Sequence, residues 1–357
     1  MNDGGANAAT RPGLVPTPVL QIHASLTCNL TCIHCYSSSS PSAHGGLPVE
    51  RICRTIEEAA AIGYKAVAFS GGEPLVYPGL ARALAQAKAL GLKTSVTTNG
   101  TLLDAARLEE LHDIVDVLAI SLDGPPDLHN DMRGSSTAFD RMLAGVANAR
   151  AAGMRLGFIH TLTRRSWEHL LWLAEFAQSN GAALFHIHPL EIYGRAGEMM
   201  AREALDQETL GRAYLLGFAL LAKYQGEMGV QIDLVHRDQL LRNPACIYAA
   251  DGWDAGASAG ELLGVAVLEP DGSVVPVAYG FSRRYRICNV NEEPLTAGWR
   301  RYMTRGYPAF RRLSRDVFAA VSSPTTPDLI NWHEFIVQQS LARATAPVEA
   351  LSEKEIV

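Results

Sequence analysis

Cys28, Cys32 and Cys35 stand in the run CNLTCIHC, just after a short apolar stretch holding Val19, Leu20 and Ile22. Three soft thiolates so close together can claim three irons of a 4Fe-4S cubane, leaving the fourth iron without a protein ligand and open to a small molecule. The same residue types also allow a closed zinc site, with His34 or His44 as the fourth ligand, or a CxxC redox pair inside a βαβ pattern. A second motif weighs toward the cluster. The apolar run Ala66 to Ser70 ends in Gly71-Gly72-Glu73-Pro74. Two glycines let the backbone turn sharply and expose N–H and C=O groups, Glu73 adds an acceptor, and Pro74 fixes the exit. Such a turn can hold the ammonium of a zwitterion.

These two motifs together resemble the radical S-adenosylmethionine (SAM) superfamily, whose CxxxCxxC signature stands here as Cys28, Cys32 and Cys35. Thr98-Asn99-Gly100, Ser121-Leu122-Asp123-Gly124 and His129 through Arg133-Gly134 follow in the family's order, and the likeness spans roughly residues 19 to 200. The resemblance implies a 4Fe-4S cluster and SAM as cofactors. The open iron would chelate SAM's amino and carboxylate groups, with the GGEP turn at the ammonium, and one electron would cleave SAM to methionine and a 5'-deoxyadenosyl radical. It makes Asn99, Ser121 and Asp123 polar contacts to SAM's ribose or methionine part, and Arg133 a bidentate clamp on its carboxylate. Read singly, Asn99-Gly100 is a turn, Ser121 and Asp123 a helix cap or Asx-turn, and Arg133 a surface ion pair. His34, where the family usually has an aromatic residue, packs near adenine in this reading, and Tyr36 covers the cluster. Arg195, in Gly194-Arg195-Ala196, resembles a stretch near the adenine end. His186 and His188 share one strand face, from which they touch substrate and move protons or form a hydrogen-bonded core pair.

Such groups converge only if the chain brings successive strand ends together. Strands are expected at Val19 to Ala24, Ala66 to Ser70, Thr94 to Thr98, Val115 to Ser121, Leu156 to Thr161 and Leu184 to His188, with amphipathic helical segments between them. Six βα units fit a partial (β/α)6 TIM-like barrel, an α/β fold in which every motif above falls after a strand and so opens on one mouth. A doubly wound sheet also alternates strands and helices, but spreads its strand ends along a crevice. The expected division is a tail over 1–17, the barrel over 18–228, a small α+β module over 229–343 and a second tail over 344–357.

That module resembles the SPASM/twitch extension of many peptide-modifying radical SAM enzymes, where cysteines hold auxiliary clusters. In Leu268-Glu269-Pro270-Asp271-Gly272-Ser273-Val274-Val275-Pro276 the family's next residue is a cysteine ligand; here it is Val277. Cys246 and Cys288 alone cannot close a cubane, so a single cluster and a cluster-free cap are expected. Either thiol, facing the abstracted carbon, would return a hydrogen atom to it and complete an epimerisation; the alternative is a buried apolar cysteine.

The 357 residues, 48% hydrophobic and 19% charged, suit a globular protein with a sizeable core. A net charge of -6 gives no footprint for nucleic acid, and Arg283, Arg284 and Arg286 read as a solvated turn. Six cysteines, half of them in one motif, do not make a secreted disulfide framework, and neither a signal peptide nor a membrane-spanning run is apparent, so a reduced cytoplasm is expected. The substrate expected is a peptide, namely a ribosomal-peptide precursor, which the enzyme crosslinks, epimerises or oxidises. A small molecule such as an aminoglycoside, sugar nucleotide or amino acid is the second choice, and a non-catalytic metal-binding protein a remote third. A flavodoxin- or ferredoxin-type electron donor completes the expected partners.

Overall fold

In the computed structural model, which describes residues 17–249 and 256–344, strands and helices alternate from the start. The order is β1 (Val19–His23), α1 (Val49–Ala61), β2 (Ala66–Ser70), α2 (Leu80–Ala89), β3 (Lys93–Thr98), α3 (Ala105–Leu111) and β4 (Val117–Ser121). There follow α4 (Pro126–Arg133), α5 (Ala138–Ala151), β5 (Leu156–Leu162), α6 (Leu170–Ser179), β6 (Leu184–Pro189), α7 (Gly194–Met199) and α8 (Gln207–Lys223). Beyond these come β7 (Gly229–Ile232), β8 (Val235–His236), α9 (Arg237–Arg242), α10 (Ala259–Leu262), β9 (Val265–Leu268), β10 (Ser273–Pro276) and β11 (Cys288–Asn289). The chain closes with α11 (Leu295–Val321), β12 (Leu329–Ile330) and α12 (Trp332–Ala344).

Strands β1 to β7 pair in parallel in sequence order, as βα units require. The sheet does not stop at β1. β9 lies parallel to it, then β10 and β11 add antiparallel, so the barrel's own sheet runs on into the region assigned to the C-terminal module. Most of the expected tail segments, 1–16 and 345–357, lie outside the described residues.

Residue alternation fixes what each sheet face can do. Phe158 meets Phe176 of α6, and Ile232 packs on Gly217 of α8, so that face carries the helices. Leu20, Ile22, Val67, Phe69, Val96, Leu118, Ile120 and Phe185 fill it and are fully buried, each worth about 1.5–3 kcal/mol of transfer free energy. Their neighbours point the other way. This inner face is small and polar: Gln21 pairs across to Ala68 and Ser95, and Ala119 to Gly157. Ser121 is in line with Ile159, His186 and Gln231. Gln21, Ala68, Ser95, Thr97, Ala119, Ile159, Thr161, His186 and His188 all keep partial solvent access. The inner face is therefore a lined cleft, not a packed barrel core. Two more residues stand at its edges, His23 at the end of β1 and Ser70 at the end of β2.

Candidate active site

The cysteine loop leaves β1 and returns against the GGEP turn that ends β2. Gly72 N–H donates to Ser25 O and Glu73 N–H to Thr27 O, both at 3.0 Å. A Cβ on Gly72 would stand 2.1 Å from Thr27 O, so only glycine lets the two backbones meet, while Gly71 uses its freedom to hold φ +104°. Within the loop, Leu30 N–H donates to Cys28 Sγ at 3.5 Å and Ser39 N–H to Cys35 Sγ at 3.3 Å. The Ser37 hydroxyl lies 3.4 Å from Cys35 Sγ, and Arg133 reaches Cys32 Sγ at 3.8 Å. Donors aimed at sulfur, with a guanidinium behind, suit the negative charge of a thiolate-ligated cluster. Burial pushes the Cys28 thiol up to about 12 and raises Cys32 as well, so ligation by these two sulfurs displaces protons.

Several residues expected to touch SAM are committed to holding this framework together. Glu73 is buried: its carboxylate accepts from the Thr98 hydroxyl at 2.6 Å and from Asn99 and Leu75 N–H at 2.9 and 3.1 Å. Burial raises its carboxyl above the ordinary range, against those three donors. It ties the end of β2 to the end of β3 in place of standing free for an ammonium. Asn99 forms an Asx-type turn, its Oδ1 accepting from Thr101, and donates at 2.8 Å to Asn29 in the cysteine loop. Asp123 is fully buried. Although burial opposes its charge, Arg133 at 2.6 Å from its Oδ2 and the nearby histidines hold it far below the ordinary carboxylate range. Arg133 thus spends its Nε on Asp123 and turns Nη1 to Cys32, which corrects both the bidentate clamp and the surface ion pair: the pair is buried. Arg195 donates to the carbonyls of Cys32, Ser38 and Ser39 at 2.8, 3.3 and 2.9 Å, pinning the cysteine loop instead of reaching adenine. Pro74 opens a short helical turn capped by Glu73.

His34 is buried, with Nε2 3.6 Å from Asp123, and burial lowers it to about 4, so it is neutral at physiological pH. Its Nδ1 has no partner among the described residues. Tyr36 stands edge-on to Tyr279, with ring centroids 5.4 Å apart, and its hydroxyl lies 3.4 Å from Ser70. Ser121 ends β4 on the inner face, almost buried. The two expected hydrogen donors are elsewhere. Cys288 pairs in register with Val274, Val274 with Leu268 and Leu268 with Ile22, which places it on the helix-covered face against Gly298 of α11. It is buried, and burial pushes it up to about 12. Cys246 is exposed in the turn Pro244–Ile247, which follows α9 and packs on α11. Cys288 therefore points away from the cleft, which argues against it as the hydrogen-atom donor.

Other residues complete the site, of which only His129 stood inside a motif already named. His23 is fully buried, stacked on Tyr279 at 4.6 Å, with both ring nitrogens unpartnered among the described residues. His129 Nδ1 accepts from Asp123 N–H at 3.3 Å. Asp233, just past β7, lies 2.6 Å from His186 Nε2 and 2.8 Å from His188 Nδ1. The two that were missed had a signal: His23 precedes the cysteine loop by one short link, and Gln231-Ile232-Asp233 continues a strand alternation that the expected end of the barrel cut short.

A half-open α/β barrel with three thiols and a glycine turn at its mouth defines a class of enzyme that anchors a cluster and a small cofactor where strand ends converge. The chain belongs to the radical SAM superfamily, which residues 22–177 match. It is similar to PqqA peptide cyclase from Ruegeria pomeroyi, 31% identical over 73% of this chain and 68% of that one. It is also similar to Fe-coproporphyrin III synthase from Methanosarcina barkeri, 26% identical over 79% of this chain and 73% of that one. Its fold matches Streptococcus suis SuiB bound to S-adenosylmethionine with a TM-score of 0.65, at 19% identity, covering 83% of this chain and 68% of that one. The protein is a radical SAM enzyme, and its cofactors are a 4Fe-4S cluster and SAM. Among the described residues, no helix is long and apolar enough to cross a membrane.

Proposed function

We propose that this enzyme abstracts hydrogen from a peptide substrate laid along the inner face of the barrel. Cys28, Cys32 and Cys35 hold the cluster in this reading, and the backbone of Gly71 and Gly72 with Ser121 lines the SAM site. The bound cofactors supply an electron and the 5'-deoxyadenosyl radical. The protein's residues do the rest: Arg133 balances charge at Cys32, Glu73 and Asn99 fix the strand ends, and the aromatic pair Tyr36 and Tyr279 shields the cysteine loop from solvent. Residues 18–228 together with β7 act as the catalytic barrel in this reading, and the rest of 229–343 as a cap without its own cluster. A flavodoxin- or ferredoxin-type protein donates the electron.

The observation that carries the peptide reading is the sheet's termination at β7, which among the described residues keeps one edge without a strand partner beside the inner-face cleft. An extended peptide can satisfy such an edge with main-chain hydrogen bonds and place alternate side chains in the cleft. The similarity to a peptide cyclase supports the same reading. A small molecule, including a tetrapyrrole, is the second reading, favoured by the similarity to Fe-coproporphyrin III synthase across 79% of the chain. The test is anaerobic turnover of the cluster-loaded enzyme with SAM, a reductant and short peptides encoded beside its gene. Stoichiometric 5'-deoxyadenosine with a mass change in one peptide is expected. 5'-Deoxyadenosine formed with a changed porphyrin and unchanged peptides would overturn the peptide reading.

A further inference from the structure

We propose that His186, His188 and Asp233 bind one divalent transition-metal ion of the zinc or iron(II) class, on the inner face of the barrel and apart from the cysteine loop. The proposal stands on side-chain geometry and does not depend on which substrate the enzyme takes. His186 and His188 are two residues apart on β6, so the pleat turns both rings to the same face. Parallel pairing of β6 with β7 then brings Asp233 beneath them. His186 Nε2 and His188 Nδ1 stand 2.6 and 2.8 Å from the same oxygen, Asp233 Oδ2. Among the described residues, this is the one set of three possible ligand atoms from histidine, cysteine, aspartate or glutamate lying within 4.8 Å of one another.

Two imidazoles and a carboxylate are a donor set that zinc and iron(II) accept. Ligand bonds of about 2.0–2.2 Å in a tetrahedral shell hold donor atoms roughly 3.3 Å apart, so each ring nitrogen must stand about half an ångström or a little more further from the Asp233 oxygen than it does in the hydrogen-bonded trio. The surroundings are those of a metal site. Glu191 Oε1 lies 3.3 Å from His188 Nε2, the nitrogen not needed as ligand, and Gln231 donates at 3.0 Å to Asp233 Oδ1, the oxygen not needed as ligand. Each supporting contact fixes a ring or carboxylate orientation and raises donor strength. The side chains of His186, His188 and Asp233 are 23, 27 and 11% exposed, which gives an ion an entry path and leaves coordination positions facing the cleft. On binding, the ring protons at His186 Nε2 and His188 Nδ1 go to solvent, and no oxidation change is required.

The test uses the full chain with its cluster loaded, freed of loose metal by chelator and desalting. Zinc chloride is titrated against a chromophoric chelator, iron and sulfide are counted in parallel, and the zinc X-ray absorption edge reports the ligand atoms. The expected result is one zinc per chain with nitrogen and oxygen ligands and unchanged iron. His186→Ala should abolish that binding, and Glu191→Gln, which leaves all three ligands in place, should weaken it about 10–100-fold. No zinc uptake, zinc with sulfur ligands, or uptake indifferent to both substitutions would overturn the proposal.

Discussion

Arg133 does its work from inside the protein: at 9% exposure it joins the Asp123 carboxylate to the Cys32 thiol, with Nε 2.6 Å from the one and Nη1 3.8 Å from the other. Removing one partner of such a pair strands a buried charge, so Arg133→Met should cost about 3–5 kcal/mol in urea unfolding, and adding Asp123→Asn should recover much of it. If the pair were a solvated contact, the single substitution would cost under about 1 kcal/mol and the double variant would show no recovery. Gly72 allows an equally local prediction. Gly72→Ala drives a Cβ into the Thr27 carbonyl and should lower iron per chain after reconstitution, because the cysteine loop must shift. Gly211→Ala in α8, where a Cβ meets nothing within 4 Å, serves as control and should gain up to about 1 kcal/mol. The spacing CNLTCIHC followed by GGEP made the family and its two cofactors legible in the sequence. What it could not convey is direction: that Glu73, Asn99, Arg133 and Arg195 spend their polar groups on the framework depends on which strand end lies beside which, a property of the assembled sheet.

The six expected strands of the barrel were legible to within about two residues, because five to seven residues of alternating burial between helical stretches leave little ambiguity; Ala66–Ser70 is found as expected. The shortest of the later elements were not. β8, β11 and β12 are two residues long, and β7 is four, too short for a period to show. Missing β7 hid Asp233, and missing the parallel pairing of β9 with β1 hid the face on which Cys288 falls. That face decides a prediction. Because β11 packs Cys288 against Gly298 of α11, on the side away from the cleft, Cys288→Ala should destabilise the protein by about 1 kcal/mol through lost burial. It should leave 5'-deoxyadenosine formation and the product's stereochemistry unchanged. Loss of solvent deuterium from the substrate carbon in that variant, with deoxyadenosine production intact, would restore the thiol as a hydrogen donor.

At the scale of the whole molecule, the chain places three uncharged imidazoles, His23, His129 and His160, in its interior, and these shape how stability responds to acid. Burial lowers His23 to about 3, and lowers His129 and His160 to about 4, the last held 3.0 Å from Leu122 O and 3.1 Å from the Ser166 hydroxyl. In the unfolded chain each would titrate near 6.5. Between those values the unfolded state binds protons that the folded state refuses, so unfolding free energy falls as pH drops from about 6.5 toward 4, with a slope of up to about three protons from these residues. Above 6.5 both states hold them neutral and the dependence vanishes. Carboxylates such as Asp123, with a folded value far below the unfolded one, contribute in the same direction only once pH falls near 4. From 5 to 6.5 the histidines act against the buried carboxyls Glu73 and Glu334, which burial raises and whose folded-state protonation works in the opposite direction, so the histidine contribution is read from the change on substitution. Urea unfolding of the cluster-free chain across that region should show the loss, and His160→Gln, which keeps a polar side chain in contact with Ser166, should flatten the slope by about one proton. A slope unchanged in that variant would mean His160 is protonated inside the fold, with a water or ion stabilising its charge.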